Sequence, residues 1–217
     1  MKRHFRRWFS EFLGTFLLVF AGTGAIIVND VFDGTITHLG IAVVFGLSVM
    51  VMIFAVGEIS GAHFNPAVTF GFVLAKKITL LDGLLNIFGQ VIGAFSASGL
   101  LRYFFPSHPT LGATIPAIDP MLAFLLEVIL SYILMFVIKQ IVAVPREKIA
   151  FAGVVIGSTI SLSALFAGSL TGASMNPVRS IAPALLAGVS SNQWIYLTAP
   201  FLGAGLAIIT SRFLHQD

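Results

Sequence analysis

The sequence predicts an all-α membrane protein, in which six transmembrane helices are combined with two re-entrant half helices. Hydrophobic residues make up 57% of the 217 residues and charged residues only 10%, whereas soluble domains carry about 25% charged residues. The second observation is an internal repeat: segments 60–69 and 171–180 align without a gap, and each contains Asn-Pro. An Asn-Pro pair can begin a helix, because Asn is a favoured N-cap and Pro is favoured at the first helical position.

Six apolar windows of roughly 20 residues, the length that crosses a bilayer, predict the spanning helices. They cover residues 9–28, 39–56, 81–101, 121–142, 149–170 and 193–212. Most basic residues fall at the two termini and in two loops on the same side of this arrangement: Lys2, Arg3, Arg6, Arg7, Lys76, Lys77, Lys139, Arg146, Lys148 and Arg212. Because basic residues concentrate on the cytoplasmic side, we expect both termini in the cytoplasm and an uncleaved first helix. The short termini are typical of a microbial protein, so the expected location is a bacterial inner membrane.

Each half of the chain contains three spans and begins with a carboxylate inside a span. Glu11 precedes Thr15 by four residues, and Glu127 precedes Ser131 by four residues. Since three spans are an odd number, the second half must insert upside down relative to the first. We therefore expect a single domain over residues 1–217, with repeats at about 8–102 and 121–213 and functional groups near the midplane.

The two Asn-Pro segments predict half helices that meet inside the membrane. About ten helical residues span roughly 15 Å, half of a roughly 30 Å hydrocarbon core. The central constriction is predicted from the residues where the half helices begin: Asn65, Pro66, Ala67, Asn176, Pro177 and Val178. Irregular backbone at this depth must be buried or line water, so the preceding residues should present pore carbonyls: Gly61, Ala62, Phe64, Gly172, Ser174 and Met175.

Ionisable residues inside spans are costly and usually functional. We expect Glu11 and Glu127 to hold the irregular backbone before each half helix, with a direct proton or cation relay as the alternative. Glu58 is interpreted in the same way, and His63 is expected to anchor its loop rather than bind a metal. The chain has no cysteine and no metal-ligand spacing, so we expect no metal and no cofactor.

Electrostatics favours neutral solutes. Two helix N-termini and Arg179 repel cations, while alternating carbonyls and amides suit an uncharged, hydrogen-bonding solute.

Three other classes of protein are alternatives to a channel. An ion-coupled carrier would also use inverted repeats with broken helices. An intramembrane serine protease would need Ser60 and a base on a second element, which His63 does not supply. A structural membrane-junction protein would pass no solute. We therefore expect a channel and not an enzyme. Its expected partner is the lipid bilayer, and we expect no binding to nucleic acid.

These motifs also carry a family resemblance. The chain resembles the aquaporins and aquaglyceroporins over nearly its whole length, and its closest likeness is to the nodulin-26-like branch. The resemblance rests on both Asn-Pro boxes, the repeated Glu-x-x-x-Thr/Ser, Arg179, Gln90 with Gly93-Ala94, Gly24-Ala25 and Pro183-Ala184-Leu185. It implies one hourglass pore per subunit and a homotetramer.

The resemblance further implies an outer selectivity filter made of Phe45, Ala164, Ala173 and Arg179. Strict water channels place His at the position of Ala164, so a wider and less polar opening is expected here. Ser180 and Tyr196 match the water type, whereas Leu197 does not. We therefore expect a channel for water that also admits glycerol-like polyols and arsenous, boric or silicic acid, with a strict water channel as the alternative. No mercurial sensitivity is expected.

Overall fold

The computed structural model describes residues 2–143 and 150–215, which form eight helices. They are α1 (Lys2–Val31), α2 (Thr37–Ser60), α3 (Pro66–Leu74), α4 (Leu80–Phe104), α5 (Pro120–Ile141), α6 (Ala152–Thr171), α7 (Pro177–Ala187) and α8 (Gln193–His215). The start of the fifth predicted window, at Ile149, and the basic residues Arg146 and Lys148 lie outside the described residues.

Six of the helices in this part of the chain, all except α3 and α7, are long and apolar enough to cross a membrane. Helix α3 has nine residues and α7 has eleven. At 1.5 Å per residue they are about 14 and 17 Å long, so each can cross about half of the hydrocarbon core. The predicted fold class, six spanning helices plus two half helices, is confirmed.

The helix contacts follow one pattern in both halves of the chain. Helix α1 packs on α2 and α4, and α5 packs on α6 and α8 in the same way. The halves are joined by contacts of α2 with α6, of α7 with α4, and of α3 with α8. We call the end of the bundle where α1 begins the proximal end, and the opposite end, with segments 32–36 and 105–119, the distal end. The repeat boundaries at about 8–102 and 121–213 stay a prediction.

Glycines allow the closest helix contacts. A Cβ atom at Gly89 or Gly93 of α4 would overlap the backbone of α1 at Trp8 and Phe12. Such small-residue seams let membrane helices approach each other closely. They fix α1, which carries Glu11, directly against α4.

Both half helices begin with the same cap. The Asn65 Oδ1 atom accepts from the backbone N–H of Ala67 at 2.8 Å, and the Asn176 Oδ1 atom accepts from that of Val178 at 3.2 Å. Proline occupies the first turn of each helix. An Asn cap contributes about 1 kcal/mol to helix stability, so the sequence signal and the observed helix starts have the same physical cause.

Candidate functional site: a central cavity between the half helices

A cavity of about 890 Å³ runs between the two halves. It extends from His38 and Gly168 at the distal end, past Asn65 and Asn176, to Val142 at the proximal end. The residues predicted to form the pore wall and the outer filter all line it: Gly61, Ala62, Phe64, Gly172, Ser174, Met175, Phe45, Ala164, Ala173 and Arg179. The fold therefore brings the residues that were predicted from the sequence to a single cavity.

The amides of the two asparagines bind each other's loops. Asn65 Nδ2 donates to the carbonyl oxygen of Met175 at 2.7 Å, and Asn176 Nδ2 donates to that of Phe64 at 2.9 Å. An amide nitrogen has two N–H groups, so each asparagine keeps one donor for the cavity. The Phe64 and Met175 carbonyls, two of the predicted pore carbonyls, each use one lone pair in these bonds and keep the second.

The other four residues of the predicted central constriction lie behind the cavity wall. Pro66 and Pro177 are buried, and Ala67 and Val178 are 2% and 4% exposed. Val178 packs in an apolar cluster with Val19 and Ala94. None of the four lines the cavity, because they begin helices whose sides pack into the protein; the asparagines and the loop residues before them line it instead.

Glu11 is fully buried and bonded to the first loop. Its carboxylate accepts from the backbone N–H of His63 at 2.9 Å and of Phe64 at 2.7 Å. It also accepts from Gln90 Nε2 at 2.7 Å. This is the geometry that a scaffold role requires, and the role itself stays a prediction.

Glu127 repeats the arrangement in the second half. Its carboxylate accepts from the backbone N–H groups of Ser174 and Met175, both at 2.9 Å, and from Thr171 Oγ1 at 2.7 Å. The Tyr196 hydroxyl donates to the Thr171 carbonyl at 2.6 Å. The second loop is thus fixed from α5, α6 and α8 together.

Strained backbone accompanies these bonds. Ala62 and Phe64 have φ values of 52° and 51°, and Ala173 and Met175 have 41° and 52°. Residues with side chains adopt this left-handed region at a cost of roughly 1–3 kcal/mol each. The carboxylates of Glu11 and Glu127 offset part of that cost, because each accepts hydrogen bonds from two backbone N–H groups of its loop.

Glu58 differs from the two buried acids. Its side chain is exposed and lies on the proximal part of the cavity wall, so it does not share the loop-holding geometry of Glu11.

The His63 ring is held by a stacked aromatic ring on its face and by polar contacts at Nδ1. The ring stacks on Phe72 at 4.5 Å, and Nδ1 lies 3.0 Å from Thr69 Oγ1 and 3.2 Å from Asn86 Nδ2. Arg7 Nε donates to Asn86 Oδ1 at 2.9 Å. Because arginine can only donate, the amide group of Asn86 must turn its nitrogen to His63, and Nδ1 accepts. His63 therefore carries its proton on Nε2 and is locked as part of the cavity wall.

Arg179 is held at a defined place in the distal part of the cavity. It is 3% exposed; its Nη1 donates to the carbonyl of Gly112 at 3.0 Å, and its guanidinium lies 4.9 Å from the centre of the Phe45 ring. Ala164 and Ala173 contribute only methyl groups to the same region. The cavity wall in this region therefore consists of one charged donor, one aromatic ring and two small residues.

Sequence reasoning missed several residues that build this site. Gly112 and Thr114 lie in segment 105–119, and Thr114 Oγ1 donates to Ser180 Oγ at 2.8 Å. That segment has no repeat and no apolar periodicity, so no sequence signal marked it. Asn86 was missed because a single amide within an apolar helix resembles ordinary packing.

This arrangement defines a multi-pass membrane protein with a central passage. The family model described as "Major intrinsic protein" matches residues 1–210. Nodulin-26 from Glycine max is 42% identical over 196 residues, covering 90% of this chain and 72% of that one. Aquaporin NIP1-1 from Zea mays is also 42% identical over 196 residues, with coverages of 90% and 70%. The solved structure of the aquaglyceroporin from Plasmodium falciparum matches with a TM-score of 0.78 and 28% identity, covering 95% of this chain and 94% of that one.

The chain belongs to the major intrinsic protein family. Members of this family are membrane channels and not enzymes, and the central cavity is the candidate lumen of this channel. The predicted family resemblance is confirmed.

Proposed function

We propose that this chain is a passive channel for water and for small uncharged solutes, namely glycerol-like polyols and metalloid hydroxides such as arsenous, boric and silicic acid. The observation that carries the solute range is the distal wall, where the small residues Ala164 and Ala173 line the same cavity as the bulkier Phe45 and Arg179. Pore selectivity follows the width and the hydrogen-bonding groups of the lining. Two methyl groups leave room beside the arginine for a solute larger than water.

The lining also supports passage of hydroxyl-bearing solutes. Arg179 has donors beyond the one bound to Gly112, and each asparagine keeps one free amide N–H. Loop carbonyls supply acceptors along the cavity. The Phe45 ring supplies an apolar surface for the carbon skeleton of a polyol.

Charge at the centre supports exclusion of ions and protons. The two half helices direct their N-termini toward Asn65 and Asn176, and each N-terminus carries about half a positive elementary charge. Arg179 adds a full positive charge in the distal half. A cation, including hydronium, would have to pass all three positive features to cross the channel.

The test is stopped-flow light scattering on proteoliposomes that contain the purified full chain. Wild-type vesicles should shrink and reswell with glycerol, boric acid, arsenous acid and silicic acid faster than protein-free vesicles. Passage of water alone would overturn the solute range and favour a strict water channel. Accumulation of a solute against its gradient, driven by an ion gradient, would instead identify an ion-coupled carrier.

The proposal includes the assembly and the location. We expect a homotetramer in a bacterial inner membrane, with both termini in the cytoplasm and the whole chain as one channel domain. Large apolar side chains are exposed on the helices, for example Phe88 at 56% and Leu162 at 66%, and need lipid or a second subunit against them. Native mass spectrometry from detergent measures the subunit number, and protease access to an N-terminal tag in inside-out vesicles measures the orientation.

A further inference from the structure

Helix α1 contacts the distal wall at a glycine, Gly22, which lies beneath Phe45. Leu18 and Ile26 of α1 line the cavity, and Gly22 lies on the same helix face, four residues from each. Gly22 itself is buried beneath Phe45. A Cβ atom at Gly22 would overlap the Phe45 ring at Cδ1, Cε1 and Cζ, the last at 2.6 Å. The ring therefore occupies the space that a side chain at residue 22 would fill.

The same ring also carries the arginine. The Arg179 guanidinium lies over the Phe45 ring at 4.9 Å from its centre. Phe45 thus contacts both the backbone of Gly22 and the guanidinium of Arg179, and only 7% of its surface is exposed. Any group added at Gly22 must therefore displace the ring, which lines the cavity and packs against Arg179.

The next residue of α1 supports the arginine. Gly112, whose carbonyl binds Arg179, adopts a φ of 69°. A Cβ atom there would lie 2.9 Å from the carbonyl oxygen of Thr23. Consecutive residues of α1, Gly22 and Thr23, therefore position the ring and the loop that together form the distal wall.

We infer that Gly22 is a specificity-determining residue of the channel, because it provides the recess that seats Phe45 and so sets the width of the distal wall. It acts through Phe45 and does not touch the solute. The choice of glycerol as the larger solute rests on the proposed function.

The test compares Gly22→Ala with Gly24→Ala. Gly24 lies two residues away on the same helix, and a Cβ atom there would meet only Leu101, at an ordinary 3.4 Å. Permeabilities for water and glycerol are measured in proteoliposomes and divided by the amount of folded channel. G22A should lower glycerol permeability roughly tenfold and water permeability less than about twofold, because pore diameter sets selectivity. G24A should leave the ratio of the two permeabilities unchanged.

A second variant separates the recess from general packing. In the double variant Gly22→Ala, Phe45→Leu, the smaller side chain no longer needs the recess. Its ratio of glycerol to water permeability should equal that of F45L alone. A parallel loss of both permeabilities in G22A would overturn the inference, as would a double variant that fails to assemble or keeps the G22A ratio.

The two proposals fail in different ways. If wild-type vesicles pass water but no glycerol, the proposed solute range is wrong. Gly22 is then tested by the water permeability per channel, which should fall in G22A relative to G24A and recover in the double variant. If wild-type vesicles pass glycerol and G22A keeps its ratio, the solute range stands and the inference about Gly22 is wrong.

Discussion

Arg179 and Gly112, 67 residues apart, are joined by a hydrogen bond of 3.0 Å from Nη1 to the carbonyl oxygen. The bond holds the charged side chain of a residue in the half helix α7 against a loop at the distal end. Gly112 suits this position because its φ of 69° favours glycine. The guanidinium that we propose to repel cations is therefore held in place by the protein itself.

Replacing Arg179 should weaken ion exclusion. In Arg179→Ala we expect the sodium or proton leak to rise roughly tenfold, because one of the three positive features along the lumen is removed. Glycerol permeability should also rise, since a large side chain leaves the wall. A pH-sensitive dye inside proteoliposomes reports the proton leak.

The control for that variant is Arg179→Lys, which keeps the charge but loses the planar fork of donors. Cation exclusion should persist in R179K. An equal leak in R179A and wild type would show that the helix N-termini alone exclude cations.

Removing one of the Glu127 oxygens that accept hydrogen bonds from the second loop should destabilise the protein. In Glu127→Gln, an NH2 group replaces one of the two carboxylate oxygens. It then faces the backbone N–H of Ser174 or of Met175, which loses its acceptor. A buried donor left without an acceptor costs about 1–3 kcal/mol, so thermal unfolding in detergent should occur at a lower temperature and channel activity should fall with it.

Glu58→Gln is the matched control, because Glu58 lies on the cavity wall but is exposed. E58Q should unfold like wild type. If E127Q kept full stability but lost activity, the scaffold role would be wrong and a direct role in transport would be favoured.

Enlarging Ala164 should restrict the solute range. Ala164 lines the cavity and is 8% exposed. In Ala164→His, an imidazole fills the space beside Arg179, so glycerol permeability should fall roughly tenfold while water still passes. Ala164→Ser, of nearly unchanged size, should keep both permeabilities. Unchanged glycerol flux in A164H would place the narrowest point elsewhere along the lumen.

Mercurial reagents should not inhibit the wild-type channel, because the chain contains no cysteine and thiolates are the reactive group. In Ala164→Cys, a thiol is introduced at the lumen, and mercuric chloride should block water flow. Leu162→Cys is the control, since Leu162 is 66% exposed on the outside of α6. Inhibition of the wild type, or equal inhibition of both variants, would contradict the lumen position of residue 164.

The spanning helices and half helices could be predicted because they depend on local features. A window of apolar residues needs no partner to favour a membrane, and Asn65 and Asn176 cap helices through N–H groups two or three residues ahead. The repeat of Glu11 in Glu127 also indicated two symmetric halves. The predicted loop residues could be assigned to the cavity because each loop directly precedes a predicted helix start. Phe45 and Ala164 lie in helices, and they were assigned from the family resemblance.

The contacts that shape the lumen could not be predicted in the same way. The asparagine amides bind carbonyls 110 and 112 residues away, and Pro66, Ala67, Pro177 and Val178 turned out to lie behind the wall. Asn86 reaches His63 only because α4 packs against α1 and α3. No local pattern records which face of one helix meets which face of another.

By itself, the sequence determined a membrane protein with six spans, two opposed half helices and a central region that is positive in charge and free of cysteine. Hydropathy, capping and charge act through neighbours in the chain, so they can be read residue by residue. Only the tertiary structure decided where Phe45 and Arg179 lie. Their positions depend on the recess at Gly22 and the carbonyl of Gly112, which reach them only after α1, α2, α7 and the 105–119 segment have packed together.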